Sequence, residues 1–126
     1  MFFARSFVLV LPLLLAACGS DREEKVFLNA RSPDGEWTAQ AVDEHHFGPG
    51  NAAHYIRVTL TGINLDHEDV LVVEPTDDAD GYPGRPDKYI SLAWQAPNRL
   101  TIAYHNATAQ FIVSRIAGVD VVTQAS

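Results

Sequence analysis

Cysteine is almost absent from this chain: Cys18 is the single one among 126 residues. No intrachain disulfide can form, so packing and hydrogen bonds must hold the fold. Long hydrophobic runs are missing too. The longest, residues 7–17, has about half of the ~20 residues that a membrane-spanning helix needs, and a permanent helical anchor is not expected. Basic residues are scarce, with Lys and Arg totalling 9 against 16 Asp and Glu, for a net charge of −7. Such a surface repels phosphate backbones, so a nucleic-acid partner is not expected. There is no Gly-x-Ser-x-Gly elbow and no phosphate-cradling glycine loop. Ser91 and Ser114 as nucleophiles, with His67 or His105 as base, have only residue type in their favour. The chain is read as non-enzymatic and without a cofactor.

What is present begins with the placement of Cys18. Arg5 supplies a positive flank, residues 7–17 are apolar, and Ala16 and Ala17 precede the cysteine. That order is a secretory leader pattern. Its end, Leu15-Ala16-Ala17-Cys18, resembles the lipobox of bacterial lipoproteins. The resemblance implies cleavage before Cys18, acylation of its thiol and its new amine, and a chain held to the membrane by lipid. Several acyl chains, at about 0.8 kcal/mol per buried methylene, anchor far better than one. Gly19 rather than Asp follows the cysteine, which in such proteins implies the inner leaflet of the outer membrane, facing the periplasm. The expected organisation is a signal peptide at 1–17, a lipidated cysteine and flexible tether at 18–25, and one domain at 26–126.

That domain reads as strands and turns. Residues 54–61 alternate cleanly, Ile56, Val58 and Leu60 on one face and Tyr55, Arg57 and Thr59 on the other, as a half-buried strand requires. Residues 26–31, 36–42, 89–95, 99–105, 110–115 and 119–123 carry further strand patterns, and the apolar run at 70–74 reads as a more buried strand. Ser32-Pro33-Asp34-Gly35 and Ala96-Pro97-Asn98 supply turn chemistry, and residues 62–69 read as a turn segment. Residues 107–109 fit a helical turn or a loose hairpin. Seven or eight short strands at this spacing predict an all-β fold, an antiparallel sandwich or a rolled sheet. The shared inward phase predicts a core of Trp37, Ile56, Val58, Leu60, Leu92, Trp94, Leu100 and Ile102.

Ser32-Pro-Asp-Gly-x-Trp37 and Trp94 followed by Pro97-Asn-x-Leu100 resemble strand-turn-strand units of TolB-type β-propeller repeats. The likeness is local, and a propeller needs at least four four-stranded blades, so it implies turn geometry and no propeller function. As a whole the chain resembles small bacterial lipoproteins that combine a lipobox with a Ser-Pro-Asp-Gly turn and a late Trp, a likeness that implies no chemistry.

Two segments concentrate unusual residues. His45, His46 and His54, with Asp43 and Glu44 beside them, flank a segment read as a loop over 43–53. Imidazoles and carboxylates are ligands for Zn²⁺ or Cu²⁺. Adjacent residues of an extended chain point to opposite sides, however, so His45 and His46 are not expected on one ion. The simpler reading is a solvated polar loop, where replacing the three histidines costs less than about 1 kcal/mol. The second segment, 75–87, places Asp78, Asp80 and Asp87 at calcium-loop spacing from Thr76. Thr76 lacks a carboxylate there, and Pro83 and Pro86 stiffen the chain, so an acidic surface loop is the simpler reading. Tyr55, on the polar phase of its strand, and Tyr82 are candidates for exposed binding contacts. The sequence thus predicts a lipid-anchored, non-catalytic accessory or binding protein of the envelope. The membrane is one partner, through the acyl chains, and an envelope protein is the other class. The alternative is a metal- or small-ligand-binding lipoprotein using the histidines.

Overall fold

Nine strands build the domain, in a computed structural model that describes residues 22–49, 52–76 and 85–126. They are β1 (Arg22–Arg31), β2 (Thr38–His46), β3 (Ala53–Gly62), β4 (Leu65–Pro75), β5 (Ile90–Ala96), β6 (Arg99–Tyr104), β7 (Ala107–Ile112), β8 (Arg115–Ile116) and β9 (Val119–Ala125), with a short 3-10 turn at Pro86–Lys88. The all-β expectation holds. Among the described residues no helix is long and apolar enough to cross a membrane.

The strands form two sheets, ordered β1-β2-β3-β4-β7 and β5-β6-β9-β8. β1 to β4 are a meander of antiparallel neighbours. The chain then enters the second sheet as the β5–β6 hairpin. β7 crosses back to pair with β4, and β8–β9 return. That excursion leaves β9 running in the direction of β6, so this one pair is parallel. The other pairs are antiparallel, as expected, and the double crossing between sheets explains the exception.

Local chemistry sets the turns. Gly35 adopts φ +78° in the Ser-Pro-Asp-Gly turn, where its N–H donates to Ser32 O at 2.9 Å. The Ser32 hydroxyl donates to Asp34 Oδ1 at 2.7 Å and accepts from Trp37 N–H at 3.0 Å. Glu36 N–H also donates to Asp34, and these bonds hold the Asp34 carboxyl below its ordinary pKa, the Ser32 hydroxyl contributing most. Ala117 and Gly118 both take positive φ between β8 and β9, as a two-residue type I′ hairpin demands.

Strand ends depart from the sequence reading in four places. β1 starts at Arg22, before the apolar run, so Arg22–Lys25 pair with β2 instead of serving as tether. β2 runs on to His46 and β3 begins at Ala53, which leaves a much shorter connection than the loop expected over 43–53. β4 begins at Leu65, because Asn64 takes φ +62° and closes a two-residue turn from Gly62. Residues 107–109 belong to β7, which starts just after Asn106 at φ +53°.

Both sheets contribute to one core. Ile56, Val58, Leu60, Leu100 and Ile102 are fully buried, as expected from their phase. Trp37, Leu92 and Trp94, expected inside, instead pack partly buried against its margin. The Trp94 indole N–H spans the gap between sheets and donates to Ala30 O at 3.0 Å. Tyr89, from the segment entering β5, is among the largest fully buried side chains.

Candidate metal centre

β2 and β3 carry their alternation to the end of the hairpin. Ala39 and Ala41 face the core, so two-residue periodicity puts Asp43 and His45 on that same face. On β3, Leu60, Val58 and Ile56 face inward, and His54 follows in phase. The register sets His45 directly opposite His54 and Asp43 opposite Ile56. The hydrophobic face of the hairpin therefore ends in two imidazoles and a carboxylate.

These three side chains converge. The His45 and His54 ring centroids are 4.0 Å apart, tilted by 38°. His54 Nε2 lies 2.5 Å from Asp43 Oδ1, and His45 Nε2 lies 3.7 Å from Asp43 Oδ2. One donor atom from each residue can be chosen so that all three lie within 4.8 Å of one another. Both histidines are buried, at 7% and 8% exposure, whereas the Asp43 side chain retains 16%. The solvated loop expected for His45 and His54 is thereby corrected. They belong to paired strands and stand at the core margin, where truncation costs more than at a surface.

His46 does face the other way, as the alternation argument required. There it meets Glu44, with Nε2 to Oε2 at 2.5 Å, and packs edge-on against Tyr55 at 5.8 Å between centroids. Glu44 is the buried centre of this outer face. Arg57 reaches it from β3 through Nη2 at 2.5 Å and Nε at 3.1 Å, and its Nη1 binds Asp69 of β4 at 2.7 Å. Burial alone would raise the Glu44 pKa, but hydrogen bonds from Arg57 and His46 outweigh it and hold the carboxyl below its ordinary range. Arg57 is likewise held above its ordinary value: burial opposes its charge, and Glu44 and Asp69 more than compensate. Beside this network a groove of 540 Å³ runs over the outer face, lined in part by Arg22, Val42, Arg57 and Thr59. The Thr59 hydroxyl is buried and has no hydrogen-bond partner among the described residues.

The other sequence candidates are dispersed. Tyr55 is half-buried on the outer face, so it is less open than a free contact residue. Asp87 lies in the 3-10 turn, 3.4 Å from Arg85. Cys18, Asp78, Asp80 and Tyr82 lie outside the described residues. In the sequence Asp43 is only a neighbour of the histidines, and nothing there marks Arg57 and Asp69 as belonging with Glu44. The missed signal was parity: Asp43 and His45 continue the odd-numbered inward phase of Ala39 and Ala41.

Compared with known protein families, curated proteins and solved structures, the chain matches none. Any functional reading therefore rests on the residues themselves.

Proposed function

We propose that the protein is a lipid-anchored, non-catalytic binding protein of the bacterial envelope, tethered through Cys18 to the inner leaflet of the outer membrane. The observation that carries this reading is Leu15-Ala16-Ala17-Cys18 closing an apolar run too short to span a bilayer. Arg22 is already paired with His46, so the chain between the lipid and the folded sheet is short, at most about 15 Å when extended. A domain hung this way carries the histidine end of the β2–β3 hairpin on its membrane-proximal side. The acidic surface keeps the rest of the domain off anionic headgroups.

A second reading, small-ligand binding at that hairpin end, is favoured by the convergence of His45 and His54 on Asp43. The anchor is tested by feeding cells an acyl-chain probe and separating the membranes on a density gradient. Wild type should carry the label in the outer-membrane fraction, and Cys18→Ser should lose it. An unlabelled, freely soluble wild type would overturn the reading.

A further inference from the structure

We propose that Asp43, His45 and His54 form a binding site for a borderline divalent transition metal ion, Zn²⁺ or Cu²⁺, with at least one coordination position left to water or an outside ligand. The proposal gives the hairpin-end reading its ligand class and does not depend on the lipid anchor. Three observations carry it.

The first is the donor set. Two imidazole nitrogens and one carboxylate oxygen are ligands of Zn²⁺ and of Cu²⁺. A hard ion such as Ca²⁺ takes 6–8 oxygens, and this group offers one carboxylate. The second is spacing. Zn²⁺ at 2.0–2.2 Å from each donor, in tetrahedral geometry, sets neighbouring donors about 3.3–3.6 Å apart. Asp43 Oδ1 lies 2.5 Å from His54 Nε2 and Asp43 Oδ2 lies 3.7 Å from His45 Nε2, and one donor atom from each residue can be chosen with all three within 4.8 Å of one another. Shifts on the order of 1 Å, available from carboxylate and ring rotation, would bring the donors into range.

The third is construction. Asp43 and His45 share one strand face two residues apart, and His54 is held across from His45 by the sheet register. Sites on paired strands are more rigidly placed than sites on loops. Asp43 is the most exposed of the three, with 16% of its side chain open to solvent. Three protein donors leave a tetrahedral ion one open position, the arrangement of ions that engage an exogenous ligand. His46 is excluded, because its ring lies on the opposite face against Glu44.

The experiment uses the full chain, purified in detergent and stripped with chelator, then titrated with Zn²⁺ or Cu²⁺ by calorimetry. The expected result is one ion per chain and no heat with Ca²⁺. His54→Ala and Asp43→Asn should each weaken Zn²⁺ binding by at least tenfold, since even partners that only support a ligand cost 10–100-fold. His46→Ala should leave it within about twofold. Imidazole NMR on unmutated protein guards against misfolded variants: Zn²⁺ should shift the His45 and His54 rings and leave His46, His67 and His105 in place. Absence of binding by either ion, equal binding of Ca²⁺, or ring shifts confined to His46, His67 or His105 would overturn the proposal. Any of these would leave the acylation result untouched.

Discussion

His45 and His54 face each other across β2 and β3 with ring centroids 4.0 Å apart, at the point where the hydrophobic face of the hairpin ends. Two imidazoles so close and so buried need a nearby acceptor or an ion. Asp43 is placed to provide the first and to share the second. His54→Ala should therefore destabilise the chelated protein by about 1–3 kcal/mol, the cost of leaving a buried hydrogen-bonding group unsatisfied. His46→Ala, more exposed, should cost less, because Arg57 still holds Glu44. Urea melts in the presence of chelator make the comparison, and equal small losses would mean that the hairpin end is frayed.

Glu44 should make the fold acid-sensitive. It is faced by His46 on its own strand, Arg57 on β3 and Arg22 on β1, with Glu24 and Asp69 sharing those two arginines. Its carboxyl is held below the ordinary glutamate value. A carboxyl depressed in the folded state contributes stability that is present above its unfolded pKa, about 4.3. That contribution disappears as pH falls through the lower folded value. Glu44→Gln should cost about 1–3 kcal/mol at neutral pH and flatten the dependence of stability on pH below about 4. Thermal melts from pH 3 to 7 with chelator present test this, and an unchanged acid slope in the variant would contradict it.

Gly62 is needed for space. A Cβ at this position would run into the six-membered part of the Trp37 indole. Gly62→Ala should force the indole aside and cost about 1–3 kcal/mol, as overpacking does. Trp37 fluorescence should shift with it. A variant as stable as wild type would show that Trp37 moves freely.

Trp94 ties the sheets together by packing and by one hydrogen bond. Trp94→Phe keeps most of the ring and loses the bond to Ala30, for about 1 kcal/mol. Trp94→Ala loses both and, for a partly buried ring, should cost about 2–3 kcal/mol. Equal values for the two variants would reassign the effect to the hydrogen bond alone.

Much of the architecture is legible in the residues. The alternation of Ile56, Val58 and Leu60 predicts β3 with its buried face, and Ser32-Pro33-Asp34-Gly35 predicts a turn whose side-chain bonds follow from its composition. Turn chemistry and period are local properties, so a sequence displays them. The end of the hairpin is harder to see. Asp43, Glu44, His45 and His46 break the apolar alternation, and polar residues beside glycines read as loop. Only pairing with β3, a non-local fact, reveals that the two-residue phase continues. The parallel alignment of β9 with β6 is hidden for the same reason, since it depends on β7 crossing to the other sheet. The Glu44–Arg57–Asp69 network joins three strands and leaves no spacing signature along the chain.

The central claim, that this domain is held to the membrane by lipid at Cys18, is tested most directly by the intact mass of the protein recovered from envelopes. The account predicts a chain that has lost residues 1–17 and begins at a Cys18 heavier by its acyl groups. A mass equal to the unmodified 126-residue chain, or a processed chain with a free Cys18 thiol, would contradict it.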